Sequence, residues 1–135
     1  MTAREYLSRA IYIREQIRQA DERIEEIRHR MQSVGAIRYD KLNVQSSPED
    51  PMLENIARLM DAEQRALDLE AELVDVYEEI QQKIWQVESD LYRTILIKRY
   101  LHDKPLRQIA KEIHYSEDYT CKLHTAALRA FSEVM

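Results

Sequence analysis

The sequence predicts an all-α chain: a long antiparallel helical hairpin of coiled-coil type, followed by three shorter helices. One Gly and three Pro among 135 residues leave few breaks, and 33% of the residues are charged, a composition suited to long solvated helices. The apolar residues recur at steps of three and four, which is the repeat of one helix face.

In the first helix Ala3, Tyr6, Ala10, Ile13, Ile17, Ala20, Ile24, Ile27, Met31 and Val34 follow that repeat without a miss. This is a heptad seam, and the Arg, Glu, Asp and Gln between its positions leave the rest of the helix to water. Gly35 supplies a stop signal. Residues 36–50 have no sustained period and contain Asn43, Ser46, Ser47 and Pro48, so they read as a connecting loop. Ser47-Pro48-Glu49-Asp50 suits a helix start, because a hydroxyl cap, a first-turn proline and two carboxylates all complement the positive helix end.

The second helix is expected to run to about Val87. Leu53, Ile56, Leu59, Met60, Ala66, Leu67, Leu73, Val74, Tyr77, Ile80, Ile84 and Val87 make a face wider than a two-strand seam, interrupted by Glu63 and Glu70. At ~1.5 Å per residue each long helix would span roughly 45 to 55 Å, too long for one compact domain of this mass. The expected organisation is therefore a hairpin over 1–87, with its loop at about 35–50, and a separate unit over 88–135. The long connection also admits exchange between two chains, so a homodimer through the hairpin is one candidate assembly.

Past Val87 the pattern shortens. Ser89 or Asp90 caps a helix expected to reach Leu101, and His102-Asp103-Lys104-Pro105 breaks it. Residues 106–113 form the next helix, with Ile109 and Ile113 four apart and small Ala110 where another helix can approach. His114-Tyr115-Ser116 is a turn, with His114 where left-handed backbone is needed, and Ser116 caps a last helix reaching about Phe131. Thr120, Leu123, Ala127 and Phe131 should lock against Ile109 and Ile113, leaving Asp118, Lys122, Thr125 and Arg129 facing outward. Two helices joined in this way make a helix-turn-helix, whose second helix lies in the major groove and offers its first turns to base edges. Glu117, Asp118, Tyr119, Cys121 and Lys122 occupy those turns, while Thr125 and Arg129 lie nearer phosphates. Arg107 and the cap Ser116 complete the expected DNA-binding set.

Charge is distributed accordingly. The net −5 divides into −6 over 1–87 and +1 over 88–135. Arg93, Lys98, Arg99, Lys104, Arg107, Lys111, Lys122 and Arg129 would supply attraction to phosphates. Glu117 and Asp118 would supply none, although a carboxylate can accept from cytosine N4.

The motifs Leu106-Arg107-Gln108-Ile109-Ala110-Lys111-Glu112-Ile113, Tyr115-Ser116, Leu123-His124 and Ala127-Leu128-Arg129 resemble the end of region four of bacterial sigma factors. With Arg99-Tyr100-Leu101, Gln45-Ser46-Ser47-Pro48 and the coiled N-terminal segment, nearly the whole chain resembles sigma-like, autolysin-regulator-like transcription factors of phages and integrated elements. The resemblance implies a DNA-binding transcription regulator, often of late phage genes, that binds double-stranded promoter DNA and touches host RNA polymerase. Two departures stand out: His114 occupies a position usually given to Gly, and Glu117 and Asp118 open a helix that usually begins with basic residues. No segment resembles the part of a sigma factor that melts promoters.

Two alternatives accompany that reading. One is a phage DNA-packaging recognition subunit, and the other is an interaction module whose helix-turn-helix has lost DNA affinity. No nucleophile with its base, phosphate-binding glycine loop or metal-ligand cluster can be assembled, so no enzyme, cofactor or metal is expected. Cys121 and His124, three apart, could make only half a metal site, and Glu63 and Glu70 lack the Glu-x-x-His pattern of a di-iron bundle. Tyr6, Tyr77 and Tyr100 fall at core spacing. A lone cysteine and the lack of an apolar run long enough to span a bilayer lead to the expectation of a soluble cytoplasmic protein without a membrane partner.

Overall fold

The computed structural model describes residues 1–39 and 51–135, and the side chains of 33–39 fall outside that description. The described residues are all-helical, with no strand among them. α1 spans Ala3–Tyr39 and α2 spans Pro51–Ile84. α3 (Asp90–Leu96) runs directly into a π turn, Ile97–Leu101, and α4 (Leu106–Ile113) and α5 (Glu117–Val134) follow. None of these helices is long and apolar enough to cross a membrane.

α1 continues through Gly35 to Tyr39, so the expected stop there is not taken. A glycine inside a helix costs only about 1 kcal/mol relative to alanine and breaks nothing unless a left-handed turn follows. Residues 40–50, with the remainder of the expected loop and the Ser47-Pro48 helix start, lie outside the described residues. α2 ends at Ile84, short of the expected Val87, and Val87 is still buried.

The chain divides into two compact units, one of Met1–Arg14 with Glu72–Met135 and the other of Glu15–Ala71. In the second unit Ala20 and Ile24 of α1 pack with Ala66 and Leu69 of α2, flanked by Ile17, Leu59 and Ala62. Arg28 donates to Glu63 at 3.2 Å across the same pair of helices. The wide α2 face expected from the sequence is not buried as a whole. Ala66 and Leu69 turn inward, whereas Leu53, Ile56, Met60 and Leu67 remain exposed, as does Val74 in the first unit.

In the first unit one core joins both ends of the chain. Ala3, Tyr6, Leu7 and Ala10 meet Ile80, Ile84 and Val87, and the same cluster takes in Leu96 of α3, Tyr100 and Leu101 of the π turn and Ala127 and Phe131 of α5. The core thus runs straight through the position near Val87 where the sequence suggested a boundary. A second cluster holds Ile95, Ile109 and Leu123, with Leu91, Leu106 and Ile113 against it. Leu123 therefore meets Ile109 as expected, but Ala127 and Phe131 do not. They pack on the N-terminal turns of α1, because α5 is longer than α4 and its last turns extend past it.

The π turn sets how this segment faces the core. Its wider winding carries one extra residue per turn, shown by the His102 amide donating to Ile97 O at 2.9 Å. Leu96, Tyr100 and Leu101 then face inward on a narrower arc than a regular α-helix would give them.

Phe131 is fully buried, with its ring centroid 5.7 Å from that of Tyr6. Phe131→Ala is expected to cost about 3–5 kcal/mol, the range for emptying an aromatic site in a packed core. Urea unfolding of the variant against the parent chain checks this.

Candidate nucleic-acid interface

The turn between α4 and α5 is built from two local devices. His114 adopts a left-handed conformation, φ 62° and ψ 39°, and the Tyr115 amide reaches back to Ala110 O at 3.0 Å, the wrap-around bond that closes a left-handed helix C-terminus. Ser116 then takes extended backbone, and its Oγ accepts from the Tyr119 amide at 3.1 Å. That bond satisfies one of the orphan donors at the start of α5. Glu117 and Asp118 occupy the first turn, where the helix end is positive.

α5 turns Thr120, Leu123, His124, Ala127 and Phe131 inward. All of the sequence-predicted site residues on this helix, Glu117, Asp118, Tyr119, Cys121, Lys122, Thr125 and Arg129, are exposed, as are Ser116 in the turn and Arg107 on α4. Asp118, Lys122, Thr125 and Arg129 form the stripe opposite the buried one, with Glu117 and Cys121 on one flank and Tyr119 on the other. The Thr125 hydroxyl donates to Cys121 O at 3.2 Å and keeps its lone pairs outward. Tyr115 and Tyr119 form an exposed tilted pair, ring centroids 5.2 Å apart, at the mouth of the turn.

The eight basic residues expected to attract phosphate fall into two groups. Lys104 and Lys98 both bind Glu112, at 2.6 and 3.3 Å, and hydrogen bonding from Lys104, chiefly, holds the Glu112 carboxyl below its ordinary range. Arg99 faces Asp103 at 3.8 Å. Arg93 pairs with Asp90, donates to the carbonyls of Val87 and Glu88, and lies 5.2 Å over the Trp85 ring. Those four cations have structural partners. Arg107, Lys111, Lys122 and Arg129 make no ion pair among the described residues and point into solvent. The charge available to an anion is thus concentrated on α4 and α5.

Cys121 and His124, which the sequence offers as no more than half a metal site, differ in burial. Cys121 is exposed, whereas His124 is buried with its Nε2 2.8 Å from the Tyr100 hydroxyl. Burial first, then the positive charges of Arg4 and Arg99, push the imidazole pKa down to about 4. Burial also raises the Tyr100 pKa. The pair is therefore neutral at pH 7 and ties α5 to the π turn. Its signal in the sequence was the spacing of His124 four residues after buried Thr120, on the inward side of α5.

Comparison with known protein families, curated proteins and solved structures finds no match to this chain.

Two outcomes follow from this geometry. A β-carbon in left-handed backbone costs roughly 1–2 kcal/mol, so His114→Gly is expected to raise stability by up to about 1 kcal/mol after the glycine's greater entropy in the unfolded chain is deducted. Thermal unfolding measures it. His124 contributes its full stabilisation above its unfolded pKa of 6.5, and that contribution is lost as pH falls from there toward 4, because unfolding then takes up a proton that the buried ring refuses. With the discount for solvent that still screens the ring, the loss is on the order of 1–2 kcal/mol across that window. Denaturant unfolding at a series of pH values should show it for the parent chain, and His124→Phe should flatten this part of the profile.

Proposed function

We propose that this chain is a sequence-specific DNA-binding transcription regulator in which α4, the turn and α5 act as a helix-turn-helix and α5 reads the major groove. The observation that carries the reading is the outward stripe of Asp118, Lys122, Thr125 and Arg129 on a helix anchored from behind by Leu123 and launched by the His114–Ser116 turn. Unpaired Arg107 and Lys111 on α4 add phosphate attraction beside it. Origin in a phage or integrated element and contact with host RNA polymerase rest on the resemblance to region four of sigma factors. The long helices are taken as an antiparallel hairpin. The sequence separation of its ion pairs supports this, since Arg28 meets Glu63 35 residues on and Arg9 meets Glu79 70 residues on, the growth with distance from the connection that a hairpin produces.

A second reading draws on Glu117 and Asp118, exposed carboxylates on the first turn of the reading helix, which repel phosphate. In that case the unit binds protein rather than DNA.

Selection from a random duplex library, followed by salt titration of the winning sequence, separates the two. The groove-reading assignment expects one enriched sequence, and Lys122→Ala with Arg129→Ala should weaken binding and reduce the salt slope by about 2. A palindromic site would indicate two copies on the operator. No enrichment at low salt would reject autonomous DNA recognition.

A further inference from the structure

α2 carries two apolar stripes, one residue apart in the sequence. Within the unit of residues 15–71, Ala66 and Leu69 are buried against α1, with Leu59 and Ala62 beside them. The neighbouring stripe has no cover. Leu53, Met60 and Leu67 follow at heptad steps, 63%, 65% and 58% exposed, and Ile56 beside them is 38% exposed. Four large apolar side chains thus line about 21 Å of helix on one side, a continuous patch rather than scattered exposure.

The borders of this stripe are acidic. Asp61 and Asp68, one heptad apart, run along one edge, and Glu63 and Glu70, also one heptad apart, run along the other. Glu63 is engaged by Arg28. Asp61, Asp68 and Glu70 make no ion pair among the described residues, although Asp68 accepts from the Gln64 amide at 2.9 Å. The two arginines in this stretch, Arg58 and Arg65, lie further round, between the Asp61–Asp68 edge and the buried stripe, and Arg58 pairs with Glu54.

These borders argue against a second copy of α2 as the occupant. Paired parallel or antiparallel, the two helices would set carboxylate rows against carboxylate rows, the arrangement that coiled coils use to exclude a partner. We infer that this face of α2 docks a basic amphipathic helix from another protein. The partner's apolar seam lies over Leu53, Ile56, Met60 and Leu67, and its flanking Lys or Arg side chains meet Asp61, Asp68 and Glu70. The apolar contact supplies affinity, and the charge rows select the partner and speed its encounter. The inference rests on α2 alone and is independent of DNA binding.

The test uses the full chain and a labelled synthetic peptide of about four heptads, with Leu at a and d and Lys at e and g, where like charge keeps the peptide from pairing with itself. A twin peptide carries Glu at e and g. The Lys peptide should bind saturably and more weakly as salt is raised. It should lose at least about tenfold in affinity on Leu67→Asp, and likewise on Asp61→Lys with Asp68→Lys. The charge-reversed chain should take the Glu peptide better than the parent does. All three positions are exposed, and unchanged circular dichroism verifies that the variants fold. Equal binding of both peptides, binding of neither, or full retention of Lys-peptide affinity by Leu67→Asp overturns the inference. So does a parent dimer in sedimentation that Leu67→Asp dissociates, which would give the stripe to a second copy.

Discussion

The first unit depends on the burial of a single stripe of α5 by two different sets of neighbours. Leu123 closes a cluster with Ile95 and Ile109, while Ala127 and Phe131, one and two turns further on, enter the core made by the first turns of α1 and the end of α2. His124 lies between these contacts and spends its ring nitrogen on Tyr100. The orientation of α5 is therefore fixed from behind at several points along its length, and its outward stripe is held by packing rather than by the turn alone. A recognition surface needs this kind of support, because side chains placed on a rigid element stay in register with whatever they touch.

Charge follows a related division of labour. Lys98, Lys104, Arg99 and Arg93 are drawn into contacts that hold the π turn and the neighbouring loops together, and Glu112 alone engages two of these cations. Exposed pairs of this kind contribute little energy each. Their larger effect is to remove four positive charges from the surface presented to solvent and leave Arg107, Lys111, Lys122 and Arg129 as the available set. A tally of Lys and Arg over residues 88–135 overstates the charge available to an anion twofold, since four of the eight cations have an acidic partner.

Much of the architecture was legible in the sequence because local chemistry and the final packing agree. The unbroken repeat from Ala3 to Ile27 marks the buried seam of α1, and the boundaries of α4, the left-handed His114 and the Ser116 cap all follow from the preferences of those residues. Three features were not legible, each for a specific reason. Leu59 with Met60, Ala66 with Leu67, and Leu73 with Val74 are consecutive apolar pairs, and periodicity cannot say which member of such a pair faces the core. The π turn leaves no pattern of its own, since Leu96, Tyr100 and Leu101 fit one face of a regular α-helix as well. His124 is buried in the folded unit against Tyr100, 24 residues away, and its neutrality follows from that burial, so it is a tertiary property.

The meeting of Tyr6 with Phe131 bears on how the chain is made as well as how it stands. These rings lie 125 positions apart in the sequence, so this core contains contacts of high sequence separation even though every element in it is a helix. During synthesis the first turns of α1 leave the ribosome before any of their partners in the first unit exist; Ile80, Ile84 and Val87 come first, and Phe131 completes the cluster. Closure of that core must therefore await the synthesis of α5, and until then part of the apolar stripe on α1 has nothing to cover it.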